Sequence, residues 1–302
     1  MRLVRAIGFG FILVAGTVSG APPEDSSRVT PTVRIVRKTE PAVAAVFSQG
    51  EGRLNMGSGS VVHKDGYILT NDHVVDGLPG VILLRDYKLP LEYEIVGRMP
   101  EKDLCLLKVQ SPKPLAAIKL GRSHDLMTGE PVLCAGNPGG RGIVYSAGIV
   151  SSPNFILTAP NALVMRYFSG DVRDRFIQFD AASNQGNSGG PLINAIGEQV
   201  GVVSNKSYAE ENINFAIPID RVRQNLNELF ASEVRKGIFT GITLDPLSKA
   251  AKVIRIRKSS PAAELKLRPG DVLKSLNGKP LSNCLDWLAA LLKQKLGGEI
   301  IC

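Results

Sequence analysis

The sequence predicts a mostly β protein, in which a long all-β unit, barrel or sandwich, is followed by a small α+β unit. Three observations predict it. Short β-prone runs separated by Gly, Asn, Asp and Pro recur from Val33 to Pro218. The apolar period then lengthens to a helical one between Ile219 and Phe230, and a shorter mixture of strand-like and helical segments fills the rest. At 302 residues, 44% hydrophobic and 21% charged, the chain has material for two packed units.

The N-terminus reads as a signal peptide over residues 1–20. Arg2 and Arg5 precede an uncharged run from Ala6 to Val18, and the small residues Ser19, Gly20 and Ala21 mark a cleavage site near Gly20. That run of 13 residues is shorter than the roughly 20 a spanning helix needs, and no later stretch is long and apolar enough to be a transmembrane helix. Export to the periplasm or cell envelope is expected, with no stable membrane insertion after cleavage. Loss of residues 1–20 removes two arginines and no acids, taking the net charge from +8 to +6. The remaining basic residues are dispersed, so no nucleic-acid footprint is expected.

Residues 21–32, rich in Pro, Ser and charge, form an expected flexible tether. Strands are predicted over Gly59–Val62, Gly66–Thr70, Gly80–Leu84, Asp103–Val109, Pro131–Ala135, Ile143–Val150, Arg175–Phe179 and Gln199–Ser204, with little room for helices among them. Ile219, Val222, Leu226, Leu229 and Phe230 share one face of a predicted amphipathic helix, and Ala231–Lys236 reads as a linker. The second unit carries strand-like Ile242–Leu244, Val253–Ile256 and Val272–Leu276. It has a helix start at Ser259-Ser260-Pro261, turns at Arg268-Pro269-Gly270-Asp271 and Asn277-Gly278, and a last helix with Leu285, Leu288, Leu291 and Leu292 on one side. Cys105, Cys134, Cys284 and Cys302 lack the paired spacing of a zinc site or a disulfide framework, so neither a metal nor a cofactor is expected.

Three segments carry chemistry. Gly186-Asn187-Ser188-Gly189-Gly190-Pro191-Leu192 places a serine in a glycine-flanked turn ahead of an apolar run. A nucleophilic serine needs an exposed hydroxyl and backbone N–H groups converging on the developing oxyanion, a bend that glycines permit. Gly, Asn and Ser also make ordinary turns, so this segment alone fits a plain β-turn equally well. His73 follows the strand-like Gly66–Leu69 within Thr70-Asn71-Asp72-His73-Val74-Val75, at a strand end where a general base can face a cleft. The other two histidines, His63 and His124, sit in polar, loop-like contexts and read as surface residues. Asp103 heads the apolar segment Leu104–Val109; an acid there is costly to bury unless paired, and an imidazole N–H is a fitting partner. The order His, Asp, Ser, with separations of 30 and 85 residues, is the chymotrypsin-type order and differs from those of the α/β-hydrolases and subtilisins.

The strings GSGSVVHKDGYILTNDHVV, DLCLLKV, CAGNPGG, AGIVSS, FDAASNQGNSGGPLIN and NFAIPI occur in the order of the motifs of the HtrA (Deg) family of chymotrypsin-like serine proteases, which the chain resembles from residue 41 to 232. The resemblance implies a protease domain over residues 33–232 built as a double six-stranded β-barrel. His73, Asp103 and Ser188 would be its triad, and the N–H groups of Gly186 and Ser188 its oxyanion hole. It further implies main-chain pairing of substrate along Val203-Ser204-Asn205. Residues 237–302 resemble the family's PDZ domain, with Phe239-Thr240-Gly241-Ile242 at the place of the carboxylate-binding loop, although the chain stops where such a domain would continue its last strand. Expected partners are unfolded or damaged polypeptides at the protease site, C-terminal peptides at the PDZ-like unit, and copies of the chain itself in a trimer-based assembly. Ala182 stands where a trypsin-type enzyme carries an acid, which argues against preference for Lys or Arg. Gln185 and Ser183 depart from the family's usual proline and aliphatic residue. The rival expectation from another class is a non-proteolytic chaperone or peptide-binding scaffold, which the presence of all three catalytic residue types disfavours.

Overall fold

The computed structural model describes residues 27–50, 52–156, 175–204, 212–294 and 301. The expected signal peptide and Asn205 lie outside them. The first element is a helix that the sequence reading did not anticipate, α1 (Pro31–Thr39), starting inside the expected tether. Thr30 caps it, its hydroxyl accepting from Val33 N at 3.3 Å, and Pro31 supplies a helical φ where no N–H partner is needed. Ile35 and Val36 lean on the core of the first barrel.

That barrel is built from β1 (Val43–Gly50), β2 (Arg53–His63), β3 (Tyr67–Thr70), β4 (Gly80–Leu84), β5 (Leu91–Met99) and β6 (Leu104–Val109), closed in the order β1-β2-β3-β6-β5-β4. Between β3 and β4 lies one helical turn, α2 (Asp72–Val75). Val46, Val61, Ile68, Ile82, Cys105 and Leu107 fill the interior with essentially no exposure. One pairing matters for function. β3 and β6 run antiparallel with Thr70 opposite Cys105, so the residues leaving β3 meet those entering β6.

The second barrel comprises β7 (Lys119–Leu120), β8 (Pro131–Gly136), β9 (Val144–Ile156), β10 (Arg175–Phe179), β11 (Pro191–Asn194), β12 (Glu198–Val203) and β13 (Asn214–Pro218). Its strands are ordered β11-β8-β9-β10-β13-β12-β7, and a further β11–β12 pairing closes six of them into a ring. β7 lies outside that ring, parallel to β12. Ile177, Phe179, Leu192, Val200 and Val203 are fully buried inside it. The fold is the double six-stranded barrel of chymotrypsin-like proteins.

The expected single helix after the barrels is two, α3 (Ile219–Gln224) and α4 (Leu226–Phe230). Asn225 breaks it: its backbone leaves the helical region at φ −99° and ψ 3°, and its amide returns to Arg221 O at 2.7 Å, a local bond that competes with helix continuation. The apolar face survives the break, since Ile219, Val222, Leu226, Leu229 and Phe230 are all buried. The expected linker is itself helical, α5 (Ser232–Lys236), and the buried Ser232 hydroxyl donates to Leu288 O at 2.9 Å.

The last unit holds the hairpin β14 (Ile242–Leu244) with β15 (Val253–Ile256), the turn helix α6 (Pro261–Glu264), the pair β16 (Ser275–Leu276) and β17 (Lys279–Pro280), and α7 (Cys284–Leu291). Asn283 caps α7 by accepting from Leu285 N and Asp286 N. Its apolar face does not stop at its own unit. Trp287, Leu288 and Leu291 share one continuous core with Leu226, Leu229 and Phe230 and with Tyr67 and Leu106 of the first barrel. The Tyr67 and Phe230 rings pack at a tilt, with centroids 4.8 Å apart. Truncating a buried ring such as Phe230 or Trp287 would cost about 3–5 kcal/mol, so this seam is structural.

Candidate active site

His73 occupies the second position of α2, one turn beyond the strand end where the sequence placed it. The β3–β6 register sets that turn beside Asp103, which lies just ahead of β6 and is only 8% exposed. His73 Nδ1 stands 2.8 Å from Asp103 Oδ1 and 3.0 Å from Oδ2, and His73 N donates to Oδ1 at 3.2 Å. A carboxylate only accepts, so the ring proton lies on Nδ1 and Nε2 is the free base. Asp103 adopts a left-handed φ of 54°, tolerated by Asp, and Asn71 Nδ2 fixes it by donating to Asp103 O at 2.9 Å. Ser204 Oγ adds a donor to Asp103 Oδ2 at 3.0 Å, reaching it from the second barrel.

Beneath His73, Arg98 of β5 grips Asp72 in a bidentate pair of 2.6 and 2.8 Å. The hydrogen bonds it donates to Asp72, more than any other influence, hold the guanidinium pKa above its already high ordinary value. The short helical turn is thus pinned from below by a charge-assisted fork.

The serine turn is held against the same place by buried polar groups of the first barrel. Ser58 N donates to Ser188 O at 2.8 Å and Ser58 Oγ to Gly186 O at 2.6 Å, while Thr70 Oγ1 donates to Ser58 O at 2.6 Å. Gly189 N donates to Val203 O at 2.8 Å and Val203 N to Gly190 O at 2.9 Å. Glycine is required here: Gly189 has a φ of 85°, and a Cβ on it would lie 2.2 Å from both Ser58 O and Thr70 Oγ1. A Cβ on Gly57 would meet Val74 Cγ1 at 2.5 Å and Ser188 O at 3.0 Å, so the His73 turn and the Ser188 turn converge on one glycine of β2. Gly186 has a φ of 104°, and among the described residues its N–H has no acceptor.

Several positions differ from expectation. Val203 commits both main-chain groups to the serine turn, so it closes the barrel and is not open for pairing with substrate. Ser204 N likewise donates to Phe215 O at 2.9 Å, while its hydroxyl reaches the site. Ala182 is exposed, its carbonyl accepting from Ser146 Oγ at 2.5 Å. Ser183 braces the serine turn, its hydroxyl accepting from Asn187 Nδ2 at 3.3 Å, whereas Gln185 contributes only its backbone carbonyl, which accepts from Gly139 N at 3.0 Å as that of any residue there could. His63 is not a surface residue. It is 7% exposed, with Nε2 3.2 Å from Asp286 Oδ1 and Nδ1 accepting from Asp65 N at 3.1 Å. His124 is more open, yet its Nδ1 meets Asp220 Oδ2 at 2.6 Å.

Ser58, Thr70 and the Ser204 hydroxyl went unnoticed in the sequence as site-builders. No local signal marks them: each is a polar residue in or at the end of a strand, and only the packed barrels bury it.

At the second unit, Thr240 N donates to Glu233 Oε1 at 3.0 Å, and its hydroxyl bonds the same oxygen. Ile242 N donates to Thr240 Oγ1 at 3.2 Å. Phe239 is 44% exposed with the Arg257 guanidinium over its ring, and Gly241 takes a φ of 76°. The loop therefore already holds an internal carboxylate. Cys105, Cys134 and Cys284 are buried and unbridged. Burial pushes their thiols up to about 12, 11 and 12, which removes them as rival nucleophiles near neutrality. Among the described residues no three His, Cys, Asp or Glu side chains cluster in a way that could hold a metal ion.

Two closed barrels, a His–Asp pair on one and a glycine-flanked serine on the other, define the class of trypsin-like serine peptidases. Residues 57–202 match the trypsin-like peptidase domain family. The chain is 37% identical over 243 residues to a protein of Pseudomonas fulva named probable periplasmic serine endoprotease DegP-like, covering 75% of this chain and 48% of that one. A protein of the same name from Hahella chejuensis is 36% identical over 240 residues, covering 74% and 49%. The chain spans about half the length of these curated relatives. The crystal structure of the serine endoprotease from Yersinia pestis superposes with a TM-score of 0.56 at 27% identity, covering 89% of this chain and 94% of that one. The chain carries a trypsin-like peptidase domain of the HtrA/Deg type. No helix among the described residues is long and apolar enough to cross a membrane.

Proposed function

We propose that the chain is a serine endopeptidase that hydrolyses peptide bonds in unfolded or damaged polypeptides of the periplasm or cell envelope. The observation that carries this reading is the His73–Asp103 pair at 2.8 Å, buttressed by Ser204 and set beside the turn that presents Ser188. His73 Nε2 takes the Ser188 proton as Oγ attacks the scissile carbonyl carbon, and Asp103 stabilises the imidazolium so formed. The N–H groups of Gly186 and Ser188 receive the negative oxygen. Collapse of the tetrahedral species expels the amine, which takes its proton from His73, and leaves Ser188 acylated. Water, deprotonated by His73, then attacks the ester, releasing the carboxylate product and restoring the hydroxyl.

Ala182 in place of an acid favours uncharged, small side chains before the scissile bond over Lys or Arg. The unit from residue 237 onward serves as a PDZ-like module for C-terminal peptides through Phe239–Ile242, and the chain acts as a trimer-based homo-oligomer. The names of the similar endoproteases support the periplasmic setting. Incubation of the full chain with a fluorophosphonate should give one adduct, mapped by mass to Ser188, and unfolded casein should be cut by the native chain but not by Ser188→Ala. Equal cleavage by both refutes the reading.

A further inference from the structure

A cleft of about 740 Å³ lies away from the triad, between the first barrel and the helices that attach the C-terminal unit. Lys64, Lys108 and Lys113 line its barrel wall; Arg235 and Lys236 of α5, with Lys293 just past α7, line the other. Against these six cations the cleft presents only Asp65 and Glu94. Asp65 is already engaged by Lys293 and stands 3.5 Å from His63 Nδ1. The cleft therefore carries a net positive charge on both walls, which the Lys293–Asp65 pair joins without neutralising the remaining cations.

The Lys108 ammonium lies 5.7 Å above the Tyr67 ring and donates to Val109 O at 2.6 Å; burial, with the neighbouring Lys293 charge as a lesser contributor, lowers its pKa against the pull of Asp65 and Glu94. Between the cations the lining is mixed: the partly exposed Ile95 and Leu292 and the exposed Pro112 and Pro114 add apolar surface beside Gln110 and Ser111. A bare oxyanion would satisfy the charges and leave this surface wet. An extended segment with carboxylates interleaved among apolar side chains satisfies both, and the volume suits a few residues of chain.

We propose that this cleft is a docking site for an acidic stretch of polypeptide, which bridges the barrel and the C-terminal unit by neutralising both basic walls. The inference stands apart from the hydrolytic assignment, since no residue of the triad takes part. The test uses the full chain carrying Ser188→Ala, so that the probe is not cut. The probe is a fluorescein-labelled peptide alternating Glu with Leu and Gly, amidated at its C-terminus so that the Phe239–Ile242 loop has no carboxylate to capture.

The expected result is anisotropy binding at least about tenfold tighter than for the Glu→Gln version of the peptide, weakening as salt shortens the screening length. The pair Lys64→Glu with Lys113→Glu on one wall, and Arg235→Glu with Lys236→Glu on the other, should each remove most of the affinity. Lys279→Glu, an exposed site outside the cleft, should leave it intact. Melting temperatures close to that of the parent show that each variant is folded. The proposal is overturned if the peptide does not bind, if either wall's reversal leaves binding unchanged in a folded variant, or if tripolyphosphate binds as tightly and displaces it, which would make the cleft an oxyanion site.

Discussion

Ser204→Ala isolates the link between the two barrels. The Ser204 hydroxyl is fully buried and donates to Asp103 Oδ2 at 3.0 Å, while its N–H stays bonded to Phe215 O, so the change deletes one oxygen without freeing the backbone. A hydrogen bond to a buried carboxylate contributes about 1.5–3 kcal/mol. If that energy holds Asp103 and His73 in the reacting geometry, kcat/KM falls about 10- to 150-fold, the loss lying in kcat because Ser204 positions the pair without touching substrate. A KM that stays put while kcat falls separates this from a general loosening. Initial rates on a quenched peptide, with the melting temperature as control, measure both. An unchanged kcat in a folded variant would show that the Ser204 bond is idle and refute the reasoning.

Gly189→Ala forces a Cβ to 2.2 Å from Ser58 O and Thr70 Oγ1 at a φ of 85°, so fluorophosphonate labelling should vanish or the melting temperature drop sharply. Burial pushes the Asp286 carboxyl up, but the His63 bond and the Ser282 N–H outweigh it and hold its pKa below the ordinary 3.8. The stability it contributes is therefore complete above that ordinary value and is lost as pH falls through the lowered one. Emission of the single tryptophan, Trp287, should shift to the red on acidification through that window, and Asp286→Asn should weaken docking of α7 by about 1–3 kcal/mol at neutral pH. Glu233→Gln leaves the Thr240 N–H with a weaker, neutral partner, so affinity for peptides with a free C-terminal carboxylate, measured by calorimetry, should rise. Native alkylation at pH 8 should spare Cys105, Cys134 and Cys284, whose thiols burial holds at about 11 to 12, and unfolding should expose all three.

The strand pattern was legible because alternation and turn residues are local: most expected strands appear within a residue or two of their predicted ends. The helix after the barrels was legible as a face and not as an object, since the burial of Leu226 and Phe230 follows from periodicity while the break at Asn225 depends on an amide turning back to Arg221. His63 was misjudged for the opposite reason. The residues that follow it, Lys64 and Asp65, are polar, and its partner Asp286 on α7 lies more than two hundred residues away.

The sequence alone determined which residue types could do acyl-transfer chemistry and in what order they come, because glycine-flanked serine, strand-end histidine and strand-heading aspartate are each set by a few adjacent residues. Tertiary structure decided what those residues touch: the Thr70–Cys105 register that brings His73 to Asp103, the Ser204 hydroxyl arriving from the other barrel, and the basic cleft formed where the last unit meets the first. The physical reason is range. Backbone propensity and hydrophobic period act over a turn or a strand, whereas a hydrogen bond or a charged cavity is made by side chains that only the packed core brings within a few ångströms.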